Sequence, residues 1–204
     1  MQLDPRSTAF IAVHFEHDVV GAGGALAPMF QEQVVARDVL TQTNRLMSAG
    51  RSAGAATVYT RVAWAQDLSD LNANSPLLGL VAQSRCLLEG DPGAEIVPEV
   101  GLREGDQVVT HHRVGGFTDS DLQQVLQSRG VTTLVFCGVA TNASVEGTAR
   151  QASDLGYRTI VVEDACSAAT PTAHTSSIES LGLLAEISSV DEITGAFDAV
   201  AAAQ

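Results

Sequence analysis

Two histidines and a serine are the side chains in this sequence best suited to acid–base and nucleophilic chemistry. His14 ends an apolar segment, His111 follows another, and Ser144 stands at the opening of a helical pattern. A serine hydroxyl becomes a useful nucleophile when a neutral imidazole takes its proton. Each residue alone also has a structural explanation, as a hydrogen-bonded core group or a helix N-cap. Their chemistry therefore depends on whether the fold brings them together.

Short apolar segments rich in β-branched residues alternate with segments of helical spacing. This alternation predicts an α/β fold, a three-layer αβα sandwich whose central, mostly parallel sheet has five or six strands and helices on both faces. Ligands bind beyond the carboxyl ends of such strands, where His14, His111 and Ser144 are expected to converge in one crevice. The predicted strands are 8–15, 55–63, 106–110, 132–138 and 158–163, and the predicted helices are 31–49, 120–129 and 143–155, ending at Gly50, Gly130 and Gly156.

Two stretches fall outside this alternation. Residues 64–105, with scattered Asn, Asp, Ser, Pro and Gly, predict an extended excursion over the sheet edge and not a linker. Residues 196–204 predict a short helix that packs on a partner subunit or frays. With 204 residues and 45% hydrophobic content, the chain is expected to form a single domain over 1–204.

Charge and cysteine usage narrow the function classes. The formal net charge of −13, from 24 acidic and 11 basic residues, disfavours nucleic acid and anionic membranes as partners. A small-molecule substrate is favoured. The three cysteines are widely spaced and form no Cys-x-x-Cys pair, so neither a disulfide framework nor a thiolate zinc site is expected. Together with an N-terminus unlike a signal peptide, this favours a cytoplasmic protein.

The segment 138–168, GVATNASVEGTARQASDLGYRTIVVEDACSA, resembles the nucleophile region of the isochorismatase-like hydrolases, a superfamily of cysteine hydrolases. In that family the pattern reads Gly-Val-x-Thr-x-x-Cys-Val-x-x-Thr-x-Arg-x-Ala, followed by Gly-Tyr and a strand that ends in Asp-Ala. The resemblance extends over about residues 7–193 and implies the α/β fold already predicted. The matching positions here are Gly138, Val139, Thr141, Val145, Thr148, Arg150, Ala152, Gly156, Tyr157, Asp164 and Ala165.

The three catalytic positions of the family are all replaced in this chain. Ser144 stands at the cysteine position, His14 at that of the aspartate and His111 at that of the lysine. The segment VVTHHRVGGFTDSDL resembles the lysine-bearing segment of the family, Lys-x-Arg-x-x-Ala-Phe, with Phe117 in register. All 11 basic residues are arginines, so no shift of the alignment restores the lysine.

The resemblance implies a hydrolase that acts on an amide, ester or related acyl bond of a small molecule through an unusual Ser/His/His site. We favour His111 as the base and His14 as the residue that orients it. The family pattern also implies a cis peptide between Val139 and Ala140, which would direct the N–H groups of Ala140 and Ser144 towards an oxyanion. A buried carboxylate that stabilises imidazolium could come from Glu16 or Asp18.

We expect no metal or other cofactor, because the stretch after the second strand lacks the histidine by which nicotinamidases of this family hold their metal. Trp64, in that stretch, is expected to wall the substrate pocket with Phe15 and Phe117. Arg61 is a candidate for binding a substrate carboxylate, although pairing with acidic residues is the stronger expectation.

Two other functions remain open. Paired histidines also suit non-hydrolytic proton transfer, elimination or cyclisation, and a catalytically silent binding protein could keep the fold alone. The resemblance further implies a homo-oligomer, a dimer or tetramer, for which the apolar residues Leu77, Leu78 and Leu80 would suit an interface.

Overall fold

The computed structural model describes residues 2–201, and its centre is a sheet of six parallel strands. The spatial order is β3-β2-β1-β4-β5-β6. The central strands β1 and β4 are buried along their whole length, as expected for a parallel sheet covered on both faces. The predicted α/β fold is confirmed. The strands are β1 (Thr8–Val13), β2 (Ala56–Val62), β3 (Gln107–His111), β4 (Thr133–Val139), β5 (Arg158–Ser167) and β6 (Glu186–Ser188).

The described residues form eight α-helices, of which the first seven lie between strands and α8 follows β6. The chain steps from β1 outwards to β2, then from β4 outwards to β5 in the opposite direction. Because such crossovers are right-handed, their helices cover opposite faces of the sheet. The helices are α1 (His17–Val20), α2 (Ala27–Ala36), α3 (Val39–Ser52), α4 (Pro76–Ser84), α5 (Leu122–Ser128), α6 (Glu146–Asp154), α7 (Pro171–Leu181) and α8 (Val190–Ala201).

The predicted helix over 31–49 is wrong in its extent, since the chain forms two helices that break at Asp38, whose φ is +52°. Gly50 does not end a helix either. It lies inside α3 against the ring of Phe10, where an added Cβ would come within 2.6 Å of the ring. The other two predicted glycine stops are confirmed: Gly130 and Gly156 follow α5 and α6 with φ of +65° and +88°.

The excursion 64–105 is folded back onto the carboxyl ends of the strands. Asp18 ties it there, because its carboxylate accepts hydrogen bonds from the N–H groups of Ala25 at 3.1 Å and Leu87 at 2.9 Å. The excursion contains α4 and two 3₁₀ turns, Pro92–Ala94 and Pro98–Val100.

The three leucines expected at an interface belong to α4 and differ in burial. Leu78 is buried, whereas Leu77 and Leu80 are partly exposed, and Leu80 packs against the core. Leu77 lines a cavity together with Leu78. An interface at Leu77 and Leu80 therefore stays a prediction.

The C-terminal helix belongs to the core as far as it is described. Phe197 of α8 packs its ring against Phe10 of β1, with 5.7 Å between the ring centroids. The last part of the predicted C-terminal helix, 202–204, lies outside the described residues. In the part of the chain that the structure covers, no helix is long and apolar enough to cross a membrane.

Candidate active site

The strand order places the predicted site at the point where the direction of winding reverses, between β1 and β4. His14 directly follows β1 and Ser144 lies just after β4. Open α/β sheets bind ligands at this switch point, because the chains leaving the two strands diverge and open a crevice.

The two histidines meet across the end of β2. His14 follows β1 and His111 ends β3, and β2 lies between these strands. The two Nε2 atoms are 3.0 Å apart, with the ring planes 25° from parallel. The N–H of His14 donates to the carbonyl of Thr60 in β2 at 3.0 Å. Neighbouring strands are about 4.8 Å apart, and β2 separates β1 from β3. The two side chains must therefore lean towards each other to make this contact.

The hydrogen bonds of the pair determine its tautomers. His111 Nδ1 lies 2.8 Å from the carbonyl oxygen of Arg113. A carbonyl only accepts, so His111 carries its proton on Nδ1 and, when neutral, has a lone pair on Nε2. The contact between the rings then requires His14 to donate from its Nε2–H. His14 Nδ1 is left as an acceptor.

Burial favours the neutral form of both imidazoles. It lowers the pKa of His111 to about 4, despite the hydrogen bond to Arg113 that favours the charged form. Burial also lowers the pKa of His14 well below its ordinary value, and the adjacent His111 adds to this effect. Both rings are therefore uncharged near neutral pH.

Ser144 stands in a wide helical turn that precedes α6. Residues 141–145 form a single π turn, and the peptide between Val139 and Ala140 is cis. The Ala140 carbonyl accepts from the N–H groups of Ala143 at 3.1 Å and Val145 at 3.2 Å. Among residues 2–197 the Ser144 hydroxyl makes no hydrogen bond, so neither imidazole is bonded to it directly.

A close approach of strands fixes the start of this turn. Gly138 pairs with Val13 of β1 and has a φ of +134°. A Cβ at Gly138 would overlap the carbonyl oxygen of Val13. Only glycine fits there, which sets the direction in which the chain leaves β4 towards Ser144.

The opposite side of the turn is held by α7. The Thr141 hydroxyl is hydrogen-bonded to Nδ1 of His174 at 2.8 Å, and Ser177 donates to the Thr141 carbonyl at 3.1 Å. Burial lowers the pKa of His174 to about 4, so this ring is also neutral. The sequence reading did not single out these contacts, because α7 was not predicted.

His14 and Ser144 open into the same cavity, of about 50 Å³. Such a volume holds a few water molecules or a small ligand group. Its walls are largely apolar and come from α1, α2, α4 and the strand ends. Arg113, which the sequence does not predict at the site, is also among the lining residues. The lining residues are His14, Val19, Leu26, Phe30, Val62, Trp64, Leu77, Leu78, Val81, Leu87, Arg113, Val114, Val139, Ala140, Ala143 and Ser144.

Of the three aromatic residues expected around the substrate, Trp64 lines the cavity and the other two do not. Phe15 is buried in the core and is not among the residues that line the cavity. Phe117 stacks on Tyr157, with ring centroids 6.1 Å apart. His111 also lies outside the lining and contacts the cavity through His14.

Neither nearby carboxylate supports the histidines. Glu16 is fully buried, accepts a hydrogen bond from the N–H of Val62, and leaves Oε2 without a partner among the described residues. Burial raises its pKa to about 8. Asp18 is occupied by backbone N–H groups. In place of a carboxylate, the backbone carbonyl of Arg113 accepts a hydrogen bond from His111 Nδ1.

Arg61 is paired, as the sequence favoured. Its guanidinium contacts Glu89 at 2.8 Å, Glu95 at 3.4 Å and the Thr110 hydroxyl at 3.0 Å. It is not part of the cavity lining. Over residues 2–197, whose side chains the structure describes, there is no group of three or more His, Cys, Asp or Glu side chains that could hold a metal ion.

Comparison with known proteins agrees with this fold. The isochorismatase family protein YecD of Escherichia coli O157:H7 is 29% identical over 96% of this chain and 99% of its own length. Ureidoacrylate amidohydrolase RutB of Klebsiella pneumoniae (strain 342) is 30% identical, over 82% of this chain and 76% of its own. A cysteine hydrolase structure from Pseudomonas syringae pv. phaseolicola 1448A has a TM-score of 0.87 and 25% identity, covering 98% of this chain and 96% of that one. Residues 8–192 match the isochorismatase domain, and the chain belongs to the isochorismatase family.

Proposed function

We propose that this protein hydrolyses an amide, ester or related acyl bond of a small molecule, with Ser144 as nucleophile and the two histidines as its base. The observation that carries the proposal is that Ser144 and His14 line one cavity while His14 is hydrogen-bonded to His111. Family membership supports hydrolysis of small amides, and one relative is named as an amidohydrolase. No cofactor is part of the proposed mechanism.

The tautomers argue for His14, and not His111, as the group that receives the serine proton. His14 Nδ1 accepts the proton of Ser144, after a side-chain rotation or through one water molecule. The Nε2 proton of His14 then passes to His111 Nε2. The positive charge comes to rest on His111, whose Nδ1–H still donates to the carbonyl of Arg113 at 2.8 Å. The order favoured from the sequence is thus reversed, with His111 supporting His14.

The covalent steps follow those of other acyl-transfer enzymes. The Ser144 oxygen attacks the carbonyl carbon, and the oxyanion is placed against the N–H groups of Ala140 and Ser144. When the intermediate collapses, the leaving amine or alcohol takes the proton back from the imidazole. Water then hydrolyses the acyl-serine by the same proton path. Trp64 forms part of the wall against which the substrate packs.

One observation favours a second candidate, a proton-transfer enzyme that does not hydrolyse. The two imidazoles touch each other, whereas the Ser144 hydroxyl makes no hydrogen bond within the described residues. In that case Ser144 only orients the substrate, and His14 and His111 move protons in an elimination or cyclisation.

Variants of the three residues distinguish these functions on a substrate found by screening small amides and esters. For the covalent mechanism, Ser144→Ala and His14→Ala each lower kcat by about a hundredfold or more. The double variant is scarcely worse than either, because the two residues act as one unit. Ser176→Ala, at an exposed serine of α7, is the matched control.

A loss of less than about tenfold in Ser144→Ala, roughly 1.4 kcal/mol in the barrier, rules out serine as the nucleophile. If His14→Ala is severe while Ser144→Ala is mild, the proton-transfer function replaces the hydrolase. A catalytically silent binding protein has no turnover to lose.

A further inference from the structure

We propose that His174 of α7 is a positioning residue, which acts on the proposed active site by holding Thr141 at the start of the turn 141–145. The proposal rests on the hydrolase function described above, in which the N–H groups of Ala140 and Ser144 stabilise the oxyanion. The helix α7, which the structure describes throughout, lends no residue to the cavity lining. His174 therefore acts on the chemistry through the backbone of the turn.

One side of α7 holds the first residue of this turn. His174 and Ser177 are three residues apart, so their side chains lie on the same side of the helix. The Thr141 hydroxyl lies 2.8 Å from Nδ1 of His174, and the Thr141 carbonyl oxygen lies 3.1 Å from the Ser177 hydroxyl. All three residues are at most 4% exposed. The helix thus fixes both the side chain and the carbonyl group of Thr141.

The same helix also holds the other end of the turn. The Ser177 hydroxyl lies 2.6 Å from one carboxylate oxygen of Glu146, the first residue of α6, and Arg150 donates to the other oxygen at 2.9 Å. The guanidinium of Arg150 also donates to the Ser180 hydroxyl of α7 at 2.7 Å. The turn is therefore bound to α7 at both of its ends.

A π turn depends on such contacts, because it contains one residue more than an α-helical turn and is rare in proteins. Here the N–H of Val145 closes it by donating to the carbonyl of Ala140, five residues earlier, at 3.2 Å. Without the contact to Thr141, the turn can relax to α-helical spacing, in which the loss of one residue corresponds to a rotation of about 100°. Such a rotation turns the hydroxyl and the N–H of Ser144 away from the cavity.

The contact between His174 and Thr141 forms with either tautomer of the ring. Burial lowers the pKa of His174 to about 4, so the ring is neutral near pH 7. A neutral imidazole has one donor and one acceptor nitrogen, and a hydroxyl serves as partner to both. An asparagine amide occupies the position of Nδ1, whereas a glutamine amide reaches the position of Nε2. These two replacements separate a hydrogen bond at Nδ1 from the filling of space.

Kinetics of the variants on a substrate found by screening test this role. His174→Leu fills the space without a hydrogen bond and should lower kcat by about tenfold to a hundredfold, with KM changed less than about threefold, because the oxyanion exists only near the transition state. His174→Asn should restore kcat to within about threefold of wild type, whereas His174→Gln should not. Thr141→Val should lose as much as His174→Leu, and the double variant should be scarcely worse than either.

Amide hydrogen exchange measures the turn itself, without turnover. The N–H of Val145 closes the π turn, so its exchange rate relative to the amides of β4 reports local opening. We expect His174→Leu and Thr141→Val to raise this relative rate by about tenfold or more, and His174→Asn to restore it. Thr175→Val, at an exposed threonine of α7, is the matched control for Thr141→Val. Gly50→Ala in α3 is the control for a general loss of stability and should leave the relative rate unchanged.

An unchanged relative exchange rate of Val145 in His174→Leu and Thr141→Val overturns the inference, as does an equal rise in either control. A higher KM with kcat unchanged, or a rescue by His174→Gln equal to that by His174→Asn, also overturns it, because α7 would then only pack against the site. If His174→Leu does not fold, the nearly isosteric Thr141→Val decides.

The proposed hydrolysis fails by different results, namely that the wild-type protein cleaves no acyl bond or that Ser144→Ala keeps its activity. In that case the exchange rate of Val145 still decides whether His174 holds the turn.

Discussion

Burial decides the protonation of the side chains that surround the proposed site. The rings of His14 and His111 lose their charge because water is excluded from them. The carboxyl group of Glu16 is affected in the opposite direction, since burial raises its pKa to about 8. All three groups are therefore mainly neutral near pH 7.

Replacing Glu16 by glutamine tests this protonation state through stability. The folded-state pKa of Glu16 lies above its ordinary value of 4.5. Its neutral form thus stabilises the fold below about pH 4.5, and this contribution is lost as the pH rises towards 8. We expect the free energy of unfolding of Glu16→Gln, relative to wild type, to increase by a few kcal/mol from pH 5 to pH 9. Urea denaturation at several pH values measures it.

The histidines do not interfere with that comparison. The lowered pKa values of His14, His111 and His174 make the fold lose stability as the pH falls below about 6.5, but they do so equally in both proteins. Glu104→Gln, at an exposed carboxylate, is the matched control. A stability difference for Glu16→Gln that stays constant over this pH range would show that the carboxyl group is not buried as described.

At the scale of helices and strands, close packing against the central strands determines where glycine is required. Gly50 and Gly79 both lie inside helices, where glycine is normally unfavourable relative to alanine. A Cβ at Gly50 would meet the ring of Phe10, whereas a Cβ at Gly79 would meet nothing within 4 Å. Sequence alone cannot separate the two cases, so the pattern predicts a helix stop at Gly50.

Alanine at these two positions should have opposite effects. Gly50→Ala is expected to destabilise the protein by about 1–3 kcal/mol, because the new methyl group overpacks the core beside β1. Gly79→Ala is expected to be neutral or to stabilise by up to about 1 kcal/mol. Thermal and urea unfolding of both variants check this. Equal effects of the two changes would contradict the packing of α3 on Phe10.

The elements that the sequence predicts are those with long apolar patterns. Five strands and the glycine stops at Gly130 and Gly156 follow from such patterns. Two features are not predicted. The strand β6 has only three residues, too few to show an apolar pattern. The break between α2 and α3 depends on a left-handed backbone conformation at Asp38, which most residues avoid. The cavity could not be predicted, because α4 of the irregular excursion forms part of its wall.

On the scale of the whole molecule, we expect the chain to form a homo-oligomer. This expectation rests on the family resemblance, and of the three leucines predicted at an interface Leu78 is buried while Leu77 and Leu80 are partly exposed. The described exposed apolar residues, such as Val35 and Leu183, lie on separate helices or turns.

Light scattering coupled to gel filtration tests the expected assembly. At micromolar concentration we expect the mass of a dimer or tetramer, a multiple of the 21.2 kDa chain. Leu78→Asp would then disturb the cavity without changing the mass, because Leu78 lines the cavity and is buried from the surface. A monomer at this concentration would contradict the expectation.

The backbone conformation at His14 is one that few types of residue adopt readily. His14 has a φ of +55°, in the left-handed region that asparagine, aspartate and histidine enter more readily than other non-glycine residues. The aspartate of the family pattern and the histidine of this chain therefore suit the same bend at the end of β1. Exchange of one for the other at this position therefore needs no change in the course of β1.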